Sequence, residues 1–510
     1  MKILLSLLVL CSNLVWAQPV PLTPFERSKQ YSLPSSEEVS KYLTVLDKLS
    51  DKTRLVNLGK SAGGRPIQAM LISNSATFID CAVPEQNKST VMLVGSQHGD
   101  EPSGAEAILL LARRLIAGQH ADLLGRLNLV LVALANPDGR DLSSRYNAGR
   151  INTNMDFVAL RAREARLLVD ALHTFQPDVV YDAHESPIWK RILTKQQGYL
   201  TDAEAQFDMG NNPNIDGKLQ AYTEQYLLPA LIEKVTAAGL PAARYRGEIT
   251  DINQSVARGG LGITNLRNYA AMHGRISILF ENRLDNYEAP YDSPQNIAER
   301  VRKQYVSIEQ TLKLITEESD RVTRLSRQVR QQRHSKTENG QTLWMEVSFK
   351  RNNTEPTVSL PLVRIVDGKK QWHSFPNHDD IAARAPIQLA PAYGITREQI
   401  RMADWLKRHH IEFEVLKKPR RATIKQLVVE HLTTQPKTRP GMRTKLKAFV
   451  KAAPKTVELK AGDLLVPMNQ PMGSLAALML DPRSANALYQ ESDWHWLREG
   501  EFPVFPVLTL

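Results

Sequence analysis

The chain has 510 residues, 42% of them hydrophobic, and 65 Lys and Arg against 54 Asp and Glu give a formal charge of +11. With 26 Gly and 29 Pro near average usage, a collagen-like or broadly disordered chain is excluded. The length fits roughly two to four domains of about 100–200 residues each, and the charge permits an anionic partner without requiring a nucleic acid.

The chain opens Met1-Lys2, then an apolar run from Ile3 to Val9, small and polar residues, and Leu14-Val15-Trp16-Ala17. A positive start, a short apolar stretch and a small residue at the cut predict a secretory signal over 1–17, cleaved after Ala17. The run is shorter than the roughly 20 apolar residues that span a bilayer, and no later segment reads as a transmembrane helix. Cys11 raises a lipid anchor, but bulky Leu10 precedes it, so anchoring stays open. Cleavage leaves Cys81 alone and no internal disulfide. Export with one thiol places the protein in a periplasm, or secreted.

Pro21–Leu49 is polar, then amphipathic and helical. Val91–Gly95, Leu127–Leu134, Asp178–Tyr181 and Arg275–Phe280 read as buried strands. Ala105–Ile116, Leu160–Phe175, Lys218–Ala238 and Pro294–Ile315 carry apolar residues at helical spacing. This alternation predicts an α/β domain over 18–320, in which ligands bind at the carboxyl ends of the strands. Arg321, Arg324, Arg327, Arg330, Arg333 and Lys336 then form a basic stripe, a helical linker over 321–340 that is either a solvated face or an anion patch. The turn Asn339-Gly340 leads into a smaller α+β region over 341–510. There, Thr342–Phe349, Thr357–Val366, Ile411–Leu416 and Asp463–Pro467 read as strands, Asp367-Gly368 as a hairpin turn and Ile400–His409 as a helix. The basic excess reads as spread along the chain without a nucleic-acid module, so no such partner is expected.

The chemistry sits at strand ends. Ser96-Gln97-His98-Gly99-Asp100-Glu101-Pro102 follows the first buried strand. Its His and Glu, three apart, are able to turn toward one metal ion, and Zn²⁺ takes both ligand types. Alone, the pair is a weak signal. Asp182-Ala183-His184-Glu185 ends a second strand. His184 is a third ligand candidate or a core histidine; Asp182 is either an orienting carboxylate for an imidazole or a strand-end cap. Glu281 follows Ile276–Phe280 and is either a surface charge or a base for metal-activated water. Asp100 adds negative charge between the candidates and either favours a basic or amine-bearing substrate group or only orients the loop; Glu185, just past His184, supports the ligands from behind or lies at the surface.

Six elements in order then resemble the zinc carboxypeptidase family, the carboxypeptidase A-like metallopeptidases. They are Gly59-Lys60-Ser61-Ala62-Gly63-Gly64-Arg65-Pro66-Ile67, His98-x-x-Glu101, Asn136-Pro137-Asp138-Gly139, Arg145 through Asn152-Thr153-Asn154-Met155-Asp156-Phe157, His184 and Glu281. The resemblance covers roughly Tyr42 to Arg283. It implies a mixed central sheet with helices on both faces. It also implies one Zn²⁺ per chain on His98, Glu101 and His184, with Glu281 as base and then acid. Arg145 would hold the oxyanion, and Asn154 the terminal group of the substrate. Tyr269 is the one match offered for the family's mobile tyrosine, although a core role fits it as well.

One departure matters. The family arginine that forks onto the substrate carboxylate falls at Met155, which cannot make that contact. Arg150, Arg258 and Arg267 are candidate substitutes. The tail, notably Pro391-Ala392-Tyr393-Gly394-Ile395 and Leu464–Pro471, resembles the C-terminal region of large exported bacterial members. The expectation is an exported zinc metallopeptidase acting on peptides or peptidoglycan stems. Two alternatives stand beside it: an amidase or deacylase on a non-standard substrate, and a non-catalytic peptide-binding protein. Oligomeric state is not readable.

Overall fold

The computed structural model describes residues 19–510 apart from 31, 187–190, 202, 284–296, 336–340, 436–444 and 491–497. The expected signal peptide with Cys11, and the Asn339-Gly340 turn, lie outside the described residues. Among the described residues, nine strands form before residue 290: β1 (Thr53–Lys60), β2 (Pro66–Ile72), β3 (Ser89–Val94), β4 (Leu127–Val132), β5 (Val179–Ser186), β6 (Tyr199–Thr201), β7 (Ala205–Met209), β8 (Ala242–Arg244) and β9 (Ile276–Arg283). All but β6 join one mixed sheet in the order β1-β2-β4-β3-β5-β9-β7-β8. Its centre, β4-β3-β5-β9, is parallel. β1, β2 and β7 pair antiparallel at the flanks.

The parallel strands were legible because they are buried on both faces. Every residue of β3 and β4 is buried, so each reads as an unbroken apolar run. Helices Ser103–Ile116 and Ile297–Glu317 pack on each other and on the sheet, and helix Arg163–Phe175 packs against β1. Within the predicted helix over Lys218–Ala238, the turn Thr223–Leu227 is π-helical between two α-helical pieces.

Helix Ser319–Ser335 carries the basic stripe. Arg327 and Arg330 pair with the buried carboxylate of Asp178 at 3.3 and 2.7 Å. Arg321 lies over the rings of Tyr222 and Tyr226, at 4.5 and 5.1 Å from their centroids. Arg327 and Arg330 therefore hold the helix to the start of β5, and Arg321 holds it to the helical segment carrying Tyr222 and Tyr226; the side chains of Arg333 and Lys336 lie outside the description.

Beyond it come β10 (Thr342–Lys350), β11 (Thr357–Arg364), β12 (Lys370–Pro376), β13 (Asp380–Gln388), β14 (Ala392–Ile395), β15 (Glu414–Val415), β16 (Arg420–Gln435), β17 (Lys445–Leu459), β18 (Leu464–Pro467), β19 (Gly500–Glu501) and β20 (Val504–Thr509). β11 pairs with β12 and also with β6, so residues of the tail extend a piece of the N-terminal half. The strand expected over Ile411–Leu416 shrinks to β15. Ile411 and Glu412 spend their N–H groups on the Leu406 carbonyl and the Gln470 side chain instead.

β16 and β17 form a long antiparallel hairpin. It corrects the reading that positive charge is spread along the chain. Residues 417–460 contain thirteen Lys and Arg against two Glu, a net +11 equal to that of the whole chain. Lys447 and Lys455 of this hairpin pair with Glu346 and Glu501 at 2.8 and 3.1 Å.

Candidate active site

Three neighbouring parallel strands, β3, β5 and β9, deliver the site at their carboxyl ends. After β3 the chain turns sharply at Ser96, whose φ is +50°, into the His98–Glu101 loop. That loop is locked onto the Asn136–Gly139 turn. The Asn136 carbonyl oxygen of the side chain caps the Gly139 N–H at 2.9 Å, and its amide donates to the Gln97 carbonyl at 3.2 Å. Gly99 is required by the approach: a Cβ there would lie 1.8 Å from the Gly139 carbonyl carbon. Asp138 accepts from Ser61, Gly63 and Arg65 at 2.8, 2.7 and 2.9 Å, which joins the Gly59–Ile67 segment to the same turn. Motifs scattered over eighty residues of sequence are thus one packed unit.

His98, Glu101 and His184 converge, with ligand atoms within 4.8 Å of one another and all three residues buried. The Nδ1 atom of His98 lies 2.8 Å from one oxygen of Glu101, and Nδ1 of His184 lies 2.8 Å from the other. The far side of each ring is engaged elsewhere: His98 Nε2 faces Asn152 Oδ1 at 3.1 Å, and His184 Nε2 faces Asp182 Oδ1 at 3.0 Å. Those oxygens accept, so each Nε2 carries hydrogen and each Nδ1 turns toward the carboxylate. Each of these contacts places either a ring proton or a shared cation between an imidazole nitrogen and a carboxylate oxygen. Burial would raise the Glu101 carboxyl, but the two rings hold it well below its ordinary range. For His184 burial acts downward, and Asp182 and Glu101 outweigh it, so its ring is held well above the ordinary value. This donor set fits a Zn²⁺ ion, which binds neutral imidazole and carboxylate and releases protons on binding.

Asp182 orients the His184 imidazole, one of the two roles its sequence position allowed. His98 leans on the neutral oxygen of Asn152 rather than on a charge. Glu185 is turned away from the ligands. Arg300 grips it at 2.7 and 2.8 Å, and the Ser103 N–H donates to it at 3.0 Å.

Glu281 lies directly across from His184 in the β5–β9 register. Burial pushes its carboxyl up to about 8, with the His184 ring pulling it back. Arg145 reaches in from the open side, its Nη1 2.9 Å from Glu101 Oε1 and its side chain 43% exposed. The Asn154 side-chain oxygen accepts from the Leu266 N–H at 3.1 Å. Its amide nitrogen sits 3.2 Å from His184 Nε2. Asp182 already takes the proton on that nitrogen, so the two hydrogens of the Asn154 amide are left for another acceptor.

Tyr269 is not brought to the site. It is fully buried in helix Leu266–Met272, packs on Phe157 with ring centroids 5.4 Å apart, and its hydroxyl lies 2.8 Å from His409 Nδ1. Asn265 caps that helix and fixes the rotation that points the ring inward. Met155 is 46% exposed, with no guanidinium in its place. Arg267 is committed to Asp208 at 2.8 Å and Arg258 to Glu224 at 3.0 Å, leaving exposed Arg150 as the substitute without a recorded ion pair among the described residues.

Two residues escaped the sequence reading. Gln97 donates from Nε2 to Asp182 Oδ1 at 2.6 Å and so braces the His184 clamp. Tyr245 follows β8 and is anchored by its N–H to the Phe207 carbonyl at 2.8 Å. Burial first, and then the charge of Glu281, keep its phenol well above the usual range. No motif marks either residue. The one available signal was their adjacency, Gln97 to a ligand and Tyr245 to the end of a strand.

Residues 39–176 match the family model described as zinc carboxypeptidase. His98, Glu101, Arg145 and Asn154 fall inside that segment; His184 and Glu281 fall after it. Carboxypeptidase 2 of Trichophyton rubrum is 30% identical over 183 residues, which are 36% of this chain and 34% of that protein. Carboxypeptidase SOL1 of Arabidopsis thaliana is 28% identical over 149 residues, covering 28% of this chain and 29% of its own. The chain thus spans about a third of the length of the curated relatives it matches. A metallo-carboxypeptidase from Burkholderia cenocepacia aligns over 55% of this chain and 70% of that one, with a TM-score of 0.42 and 19% identity. Over residues 39–176, the chain is similar to the zinc carboxypeptidases.

Proposed function

We propose that this protein is an exported, zinc-dependent metallopeptidase that hydrolyses amide bonds of peptides in the manner of a carboxypeptidase. One observation carries the reading. His98, Glu101 and His184 present a buried three-ligand set, and Glu281 stands one strand away in register with His184. The matched segment supports it by containing two of those ligands. Zinc in this position supplies Lewis acidity, acidifying a water and polarising the substrate carbonyl.

This chain's residues would do the rest. Glu281 accepts a proton from the attacking water on its carboxylate and returns it to the leaving amine nitrogen. Burial raises its pKa and makes it a stronger base, and the charge of a zinc ion on the three ligands would lower it toward working pH. Arg145 donates its guanidinium to the carbonyl oxygen as charge develops, a contribution on the order of a hundredfold. The free hydrogens of the Asn154 amide point to a carbonyl or carboxylate of the substrate. Export rests on the N-terminal pattern, and peptides or peptidoglycan stems are the substrates that location offers.

Met155 motivates a second reading, an amidase or deacylase whose substrate lacks an ordinary free C-terminus. The test is a panel of matched free-acid and C-terminally amidated peptides with zinc-loaded protein. Preference for the free acids supports the carboxypeptidase reading, and equal rates select the amidase. Bound zinc without turnover on any amide returns the protein to a peptide-binding role.

A further inference from the structure

Part of the C-terminal region packs directly on segments of the N-terminal half. Two segments follow strands of the sheet that carries the site: the stretch Arg191–Thr201 after β5, and the 245–258 loop after β8, whose last residue Arg244 is level with Phe280 across β7. Both fold against β11 and β12. Leu193, Ile249 and Val256 share one buried cluster with Leu362 and Phe375. β6 pairs with β11 through Leu362↔Thr201 and its neighbours. Val256 bridges to Asn377, donating its N–H to the Pro376 carbonyl at 2.9 Å and accepting from the His378 N–H at 2.8 Å. His373 Nε2 sits 2.9 Å from the Ile252 carbonyl and donates to it.

The polar centre of this contact is Asp379, at the junction of β12 and β13. It is 7% exposed. It pairs with Arg246, lies 3.9 Å from Arg258 Nε, and accepts from Asn352 at 2.9 Å. Arg246 directly follows Tyr245, which is anchored to β7 beside the strand of Glu281. One carboxylate from the tail thereby holds both ends of the loop that begins at the catalytic sheet.

We propose that the β11–β12 unit is a wall of the substrate cleft and that Asp379 is a positioning residue for hydrolysis, holding the 245–258 loop over the site through Arg246 and Arg258. The proposal rests on the reading of this site as an amide hydrolase. It gives the tail a role in the reaction, acting through the loop rather than by touching the reacting atoms.

The test uses the full chain with zinc, as wild type, Asp379→Asn and, as a control, Asp367→Asn at an exposed ion pair of the same hairpin. Asp379→Asn keeps the volume and removes the charge. Arg246 and Arg258 are trypsin sites, so limited trypsinolysis reads the loop directly. The expected result is about tenfold faster cleavage after Arg246 or Arg258 and a kcat/KM lowered about tenfold, the loss falling mainly on KM. Zinc content should be unchanged, and the control should behave as wild type. Should Asp379→Asn fail to fold, Arg246→Gln removes the same pair from the loop side and must give the same kinetic split. Loop cleavage that rises while kinetics stay at wild-type values overturns the proposal, as does unchanged cleavage. Zinc-loaded wild type without amide hydrolysis overturns the functional reading and this proposal together; an active wild type with an unaffected variant overturns this proposal alone.

Discussion

Replacing Asp182 by Asn should weaken zinc binding without unfolding the protein, and the size of the effect follows from the contacts. Asp182 is 1% exposed, and its Oδ1 takes the His184 Nε2 proton at 3.0 Å and the Gln97 amide at 2.6 Å. Its other oxygen has no partner among the described residues. With two donors converging on one position, the introduced amide must keep its carbonyl there and turn its NH₂ to the side that offers no acceptor. The charge-assisted bond to the imidazole becomes a neutral one, and a buried donor is left unpaired. Together these cost about 1.5–3 kcal/mol in holding His184 ready, which is roughly ten- to a hundredfold in zinc affinity. Competition titration against a chromophoric chelator measures it, with thermal unfolding of the apo protein as the check on folding. An unchanged zinc Kd would refute the reasoning that the carboxylate tunes the ligand.

Glu281→Gln should retain zinc and lose at least about a hundredfold in kcat on a peptide amide, since the amide side chain cannot accept the water's proton; steady-state kinetics with metal analysis decide it, and unchanged hydrolysis removes Glu281 from the base role. His409 should make the protein acid-sensitive. Burial lowers its ring to about 3 from 6.5, and it is held neutral with Nε2 donating to the Val158 carbonyl at 3.0 Å. Below about pH 6.5 the unfolded chain takes up a proton that the folded one refuses, so stability falls as pH falls, by up to about 1.4 kcal/mol per unit until pH nears 3. Urea unfolding between pH 7 and pH 5 should show a slope that flattens in His409→Gln; equal slopes would contradict it.

The catalytic half was the legible half for physical reasons. β3, β4, β5 and β9 are short, buried and parallel, so burial wrote itself as short, mostly apolar runs such as Val91–Val94 and Leu129–Val132, with the charged residues of β5 and β9 gathered toward their carboxyl ends. β6 and β8 are three residues each and half exposed, and carry no such signal. β17 alternates Lys with small and apolar residues at the surface, where charge rather than burial dominates composition. The candidate ligands were legible because metal chemistry restricts the residue types, and the order of the motifs did the rest. Tyr269 was misplaced because spacing from Glu281 says nothing about helix rotation. Tyr245 and Asp379 were missed because their roles arise from contacts across long sequence separations.

The metal centre is the central claim, and metal analysis of the purified chain beside His184→Ala tests it most directly. The account predicts about one zinc per wild-type chain, a single ion being what three convergent ligands hold, and its loss in the variant. No zinc in either protein, after zinc has been supplied, would contradict it.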